Sequence, residues 1–246
     1  MRLRSGTAVV SCHVERPLDD AVWSAFERLL RRRPAGFVVT PFMRPPDETE
    51  AGDTERWLER ARVAASLAPL GHHTHWGGAG RARPPDDAVD AADKVRAESE
   101  WLRSHGFAPR YFCGGGWYWD VPVAETLAAC GYVDCTATSF RQSYLPANAA
   151  RLQLAAAARI VLPSGATLLE LPATHSLGAL ARTTRLPQAV HVHFHDWELV
   201  DRKRAAGLWL CLQLLALRRR PLTISELEER TAAVPEHAWD GGTITR

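Results

Sequence analysis

Residues 7–33 read TAVVSCHVERPLDDAVWSAFERLLRRR, and the two halves of that stretch have different periods. Thr7–Val14 is a short apolar run, as expected of a strand buried on both faces. Beyond Pro17, the segment 19–33 puts Ala21, Val22, Ala25, Phe26, Leu29 and Leu30 on one helical face. A strand followed at once by an amphipathic helix is half of a parallel α/β unit.

The alternation continues to the far end of the chain. Further strand-like runs lie at 36–43, 69–75, 110–113, 132–136, 168–171 and 189–194, with helical patterns at 55–67, 88–105, 121–130 and 201–218. The last helix would bury Leu208, Cys211, Leu212, Leu215 and Ala216. The expected fold is therefore α/β, a distorted and incomplete (β/α) barrel of about seven parallel strands. Residues 1–246 read as a single domain, with loops at 44–53 and 77–87 over one end. The segment 140–158 reads as a loop or lid, and the tail 235–246 as frayed or peripheral.

Composition narrows the partners. The chain is 46% apolar and 24% charged with a formal net charge of +2, which is ordinary for a globular protein. Its basic runs, 31–33 and 218–220, end helices, where cations meet the negative pole of the helix dipole; no stripe for nucleic acid is expected. No stretch approaches the roughly 18 apolar residues of a membrane span. Five cysteines without regular close spacing, and a start lacking an apolar leader core, predict reduced thiols and a cytoplasmic location.

Histidine placement carries the functional signal. Eight of the ten, His13, His72, His73, His75, His175, His191, His193 and His195, fall on or beside predicted strands. Functional groups gather at the carboxyl ends of strands in parallel α/β folds. Side chains alternate along a strand, so His73 and His75 share a face while His72 points away. Two imidazoles so spaced can chelate a divalent metal, most often zinc; the bland reading is a hydrogen-bonded core pair. Glu15 is a candidate carboxylate ligand or a turn cap, and His13 a further ligand or a base. On the last strand His195 lies nearest the carboxyl end and is the catalytic candidate, whereas His191 reads as a core residue. Asp196 and Glu198 can orient an imidazole or bind substrate hydroxyls.

The run Cys113-Gly114-Gly115-Gly116-Trp117-Tyr118-Trp119-Asp120 is a glycine-rich strand-to-helix turn. Backbone N–H groups at Gly115 and Gly116 can approach an oxyanion, and Trp76, Trp117 and Tyr118 can stack on a sugar ring. The bland reading is a tight turn covered by aromatics. No lysine of the phosphate-binding-loop type follows.

The order of these motifs resembles the polysaccharide deacetylases, family 4 carbohydrate esterases with a NodB-homology barrel. The likeness spans residues 7–227 and rests on Ser11-Cys12-His13-Val14-Glu15, Gly71-His72-His73-Thr74-His75 and the turn after Cys113. Gly131-Tyr132-Val133-Asp134, the run 168–176 and Phe194-His195-Asp196-Trp197-Glu198 complete it. The resemblance implies hydrolysis of an N-acetyl amide, or an O-acetyl ester, on a carbohydrate or related small molecule. A divalent metal held by a carboxylate and two histidines would polarise the carbonyl and activate water. Carried over by position, Glu15 matches the metal carboxylate, His73 the first metal histidine and His195 the general acid; in a hydrolase built this way Asp196 is expected to orient His195.

The chain departs from the family at three places. His13 stands where the aspartate base would be. Gly77 stands where the second metal histidine would be, with His75 on the same face as its substitute. Cys113 replaces the arginine that steadies the base, and Arg110, an odd offset away, faces the other side. Together these imply a rebuilt hydrolase site or, as the alternative, a non-catalytic barrel that binds a glycan or metabolite. A metal amidohydrolase barrel, whose His-x-His lies on the first strand, and a Cys113 thiol hydrolase fit less well.

Overall fold

A computed structural model describes residues 6–77, 87–142, 145 and 149–246. In chain order the main elements are β1 (Thr7–Val14), α1 (Asp20–Arg32), β2 (Val39–Met43), α2 (Thr54–Leu67), β3 (Gly71–Thr74) and α3 (Ala88–Ser104). Then come β4 (Tyr111–Gly114), α4 (Val121–Cys130), β5 (Val133–Asp134), β6 (Leu152–Gln153), β7 (Ala158–Val161), β8 (Thr167–Glu170) and β9 (His175–Ser176). The chain closes with α5 (Leu177–Arg182), β10 (Ala189–His195), α6 (Arg202–Arg218), β11 (Arg220–Pro221), α7 (Ile224–Glu228), β12 (Glu236–Ala238) and β13 (Ile244–Thr245).

The strand order is β12-β7-β8-β5-β4-β3-β2-β1-β10-β9, and among the described residues every named pair except β7–β8 is parallel. The run from β8 to β9 acts as one strand that closes the barrel. Leu171 and Ala173 donate their N–H groups to Asp134 and Ala137 on one side, and Thr174 donates to His191 on the other. Pro172 has no N–H to offer, so the ladder towards β10 starts only at Thr174. The barrel thus has the expected parallel character, with β1, β2, β3, β4, β5, β8–β9 and β10 around it.

Alternation along each strand explains why the runs are apolar throughout. On β1, Ala8, Val10, Cys12 and Val14 pack outward with Trp23, Phe26, Trp57, Leu208 and Leu212 of the helices. The interior is filled by Phe42, Tyr111, Cys113, Val133, Cys135, Leu169 and Leu171. Both faces exclude water, so a polar side chain survives inside only with a partner or a ligand. The helix α1 starts where Asp19 accepts from Ala21 and Val22 N–H groups at 2.9 and 3.0 Å. The helix α4 is capped by Asp120 and ended by Gly131 at φ 78°.

Two expectations change. The tail is not frayed: β12 pairs with β7, β13 pairs with β6, and Trp239, 4% exposed, stacks on Trp119 at 3.7 Å between ring centroids. The segment 140–158 contributes β6 and leads into β7, though residues 143, 144 and 146–148 lie outside the described residues. The loop expected at 44–53 is pinned by Arg44, whose guanidinium binds both carboxylate oxygens of Glu50 at 2.7 Å. Most of the loop expected at 77–87, residues 78–86, lies outside the described residues. Among the described residues no helix is long and apolar enough to cross a membrane.

Candidate metal centre

The carboxyl ends of β1, β3, β4 and β10 meet, and their inward side chains form one cluster. Glu15, just past β1, presents Oε1 to three imidazoles: His75 Nε2 at 3.4 Å, His195 Nε2 at 3.6 Å and His73 Nε2 at 4.0 Å. One donor atom each from Glu15, His73 and His75 lies within 4.8 Å of the others. The structure therefore brings together the carboxylate and the His-x-His pair singled out in the sequence. His72 points outward as alternation requires, bonded to Tyr132 Oη at 3.0 Å and Glu98 Oε2 at 2.9 Å.

His73 has the chemistry of a ligand. Its Nδ1 lies 2.7 Å from the carbonyl oxygen of Cys113, which can only accept, so Nδ1 carries the hydrogen. Nε2 is then a bare lone pair; it is buried, aimed at the Glu15 side and without a hydrogen-bond partner. An imidazole whose far nitrogen is tied to a carbonyl is the usual arrangement of a metal-binding histidine. Burial and the neighbouring His75 depress the His73 pKa to about 3, so it is neutral at ordinary pH. Burial alone would raise the Glu15 pKa, but a hydrogen bond from His75 and the surrounding imidazoles of His195 and His73 lower it to about 2. A carboxylate and two imidazole nitrogens are a fitting donor set for a divalent ion.

His195 differs from His13, His73, His191 and His193, whose pKa values burial lowers. Burial disfavours its charged form, yet the bond to Glu198 and the charges of Glu15 and Glu198 raise its pKa above the ordinary value. Its ring is half open to the mouth and stacks on Trp197 at 5.4 Å. Trp197 in turn donates Nε1–H to Glu15 Oε2 at 3.0 Å.

Several expected roles fall to other residues. The side chain that reaches His195 Nδ1 is Glu198, at 3.1 Å, not Asp196. Asp196 instead accepts from the N–H of Arg16 at 2.9 Å and of Trp197 at 2.8 Å, tying the end of β1 to the end of β10. Its pKa is pushed up to about 6, chiefly by burial. His13 is 4% exposed, stacked on His73 at 4.7 Å, with its Nε2 3.4 Å from Cys113 Sγ. Burial and the adjacent His73, His195 and His193 lower its pKa well below the ordinary value, which makes it a poor general base. Arg110 does not replace the missing arginine, being engaged with Glu228 at 2.7 Å and with Gly131 O at 2.9 Å.

The glycine turn is a built corner rather than an open loop. The Gly114 N–H is already donated to Thr136 Oγ1 at 2.8 Å, and a Cβ at Gly114 would lie 2.8 Å from the Tyr118 carbonyl oxygen. Gly115 O accepts the Trp76 indole N–H at 2.7 Å. Gly116 and Trp117 both sit at positive φ, 59° and 56°; for a tryptophan that backbone is strained and must be held by its surroundings. Trp117 is buried, 4.7 Å from the His193 ring and 5.2 Å from His13, so it walls the cluster from inside. Trp76 and Tyr118 meet edge to face at 5.7 Å and, with Trp197, remain partly exposed at the rim.

Sequence reasoning passed over Trp197 and gave Cys113 little weight. Both act through partners distant in the chain: Trp197 through Glu15, which lies 182 positions away, and Cys113 through His13, 100 positions away.

No family model matches this chain, and no curated protein matches it. Solved structures do. The fold is similar to a protein assigned as a polysaccharide deacetylase from Mycobacterium smegmatis, at TM-score 0.64 and 15% identity over 99% of this chain and 94% of that one. It is also similar to a family 4 carbohydrate esterase from Streptomyces lividans, solved in complex with acetate, at TM-score 0.51 and 12% identity over 88% and 91%. A 4-alpha-glucanotransferase from Thermococcus litoralis aligns at TM-score 0.58 and 12% identity over 94% of this chain, which spans only 39% of that protein. At such identities the likeness establishes the fold: a mixed α/β barrel with a mostly parallel sheet.

Proposed function

We propose that this chain is a divergent member of the polysaccharide deacetylases, a metal-dependent hydrolase that removes an acetyl group from nitrogen on a sugar or glycoconjugate. The observation that carries this is the convergence of Glu15, His73 and His75 donors within 4.8 Å, with His195 Nε2 facing the same carboxylate at 3.6 Å. The fold likeness to an esterase solved with acetate supports the same class of chemistry.

Glu15, His73 and His75 would hold the ion, and the buried lone pair of His73 Nε2 fits that role. When bound, a divalent ion such as zinc polarises a carbonyl and lowers the pKa of water. His195 is the proton donor: its raised pKa keeps Nε2–H available near neutral pH for the departing nitrogen. Trp197 fixes the second oxygen of Glu15, leaving Oε1 towards the imidazoles. Trp76 and Tyr118 offer ring faces at the rim for a pyranose. Gly115 and Gly116 line the turn beside them.

The alternative, a non-catalytic barrel that binds a glycan, has one observation in its favour. The position of the family's aspartate base holds His13, which is neutral, buried and turned towards Cys113.

Metal analysis of the purified chain and of His73→Ala, paired with acetate release from N-acetylated sugar oligomers, tests the proposal. About one equivalent of metal, lost in the variant, together with acetate release is expected. Saturable glycan binding without turnover at any metal load would overturn hydrolysis in favour of the binding barrel.

A further inference from the structure

Below the Glu15 set lies a second group of donors, two of which, His13 and Cys113, the proposed chemistry does not use. His13, Cys113 and His73 are 4%, 1% and 1% exposed, and one donor atom from each lies within 4.8 Å of the others. His73 and Cys113 are register partners on β3 and β4, so their side chains project to the same interior face. The first strand adds His13, whose ring stacks on that of His73. The Cys113 thiol has only long contacts to give up, the Cys135 and Gly114 carbonyls at 3.7 and 4.0 Å. His13 Nε2 and Cys113 Sγ are 3.4 Å apart. Two donors on a tetrahedral zinc, with Zn–S of about 2.3 Å and Zn–N of about 2.0 Å, stand roughly 3.5 Å apart.

We infer that the floor of the barrel is a thiolate–imidazole metal site in which Cys113 and His13, through sulfur and nitrogen, bind the same cation that takes the single lone pair of His73. This rests on the reading of the cluster as a metal centre and goes beyond it. The sulfur donor selects a soft or borderline ion, zinc or cobalt, over magnesium or manganese. The Cys113 proton is released to buffer as the sulfur–metal bond forms.

Cobalt(II) is the probe. Chelator-treated protein titrated with cobalt is expected to develop a near-ultraviolet thiolate-to-metal charge-transfer band together with visible ligand-field bands. Cys113→Ala and the near-isosteric Cys113→Ser should lose the charge-transfer band, keep visible bands from the remaining nitrogen and oxygen donors, and bind cobalt roughly tenfold or more weakly. Glu15→Gln should keep the charge-transfer band. Circular dichroism confirms that each variant is folded. Stoichiometric cobalt without that band, or a band that persists in both Cys113 variants, overturns the thiolate site and leaves the hydrolase reading intact. A band that behaves as expected, in protein that releases no acetate, upholds this site and sinks hydrolysis. No cobalt bound at all overturns both.

Discussion

A single oxygen of Glu198 holds His195 twice: Oε1 lies 3.1 Å from the ring Nδ1 and accepts the His195 backbone N–H at 3.0 Å. The ring is thereby fixed with Nε2 towards Glu15, and its protonated form is favoured despite burial. Glu198→Gln removes the negative charge, so the His195 pKa should fall. The alkaline limb of the rate–pH profile is then expected to move to lower pH, with kcat/KM at pH 8 reduced roughly tenfold and KM little changed. An unmoved limb would mean that Glu198 does not set the proton affinity of His195.

Acid should destabilise the fold through its buried imidazoles. Burial lowers the His191 pKa to about 4, while its unfolded value is about 6.5. Between those values the unfolded chain binds a proton that the folded chain refuses, so stability is complete above the upper value and is lost as pH falls towards the lower. His191→Gln retains groups able to meet Ser11 Oγ, which lies 2.9 Å from His191 Nε2, and the Leu171 carbonyl at 3.2 Å. Denaturant melts at pH 7, 6 and 5 should show a shallower decline in the variant, by up to about 1.4 kcal/mol per pH unit. Equal slopes would remove His191 from the account.

Asp134 and Glu170 face each other as register partners on β5 and β8, both fully buried, and they work in the opposite direction. Thr136 supplies its N–H and its hydroxyl to Asp134 Oδ1 at 3.0 and 2.6 Å, whereas Glu170 meets the adjoining carboxyl and the backbone of Ala137. Burial, reinforced by the charge of Asp134, raises the Glu170 pKa, so this group holds a proton in the folded state. Its contribution is present below the unfolded carboxyl pKa and is lost as pH rises through the folded one. Glu170→Gln supplies a permanent amide donor and should stabilise the protein by about 1 kcal/mol or more at pH 8, less at pH 5. A pH-independent difference between the two melts would refute the shared proton.

Trp239→Ala tests the tail. Removing a ring that is 4% exposed and stacked on Trp119 should cost about 3–5 kcal/mol. A change in thermal midpoint too small to resolve would restore the picture of a frayed end.

The long elements were legible because their signal is local. Thr7–Val14 and Val121–Cys130 match their sequence-derived bounds, and Asp20–Arg32 and Ala88–Ser104 differ by a residue or so at the ends. The pieces not anticipated, such as β6, β11 and β13, are two residues long and too short to show any period. The edge strand β12 owes its place to β7 and to the burial of Trp239 rather than to its own residues Glu236–Ala238.

For the site, the sequence by itself determined which side chains can share a face. Alternation along β3 and just beyond places His73 and His75 together and His72 behind them, and that follows from backbone geometry alone. Only the tertiary structure decided what each face meets. It gave His195 to Glu198, Glu15 to Trp197 and His13 to Cys113, and it turned Trp117 inward against His193. Those pairings cross between strands far apart in the chain, and whether an imidazole is neutral or charged depends on burial and on charges that no local pattern encodes.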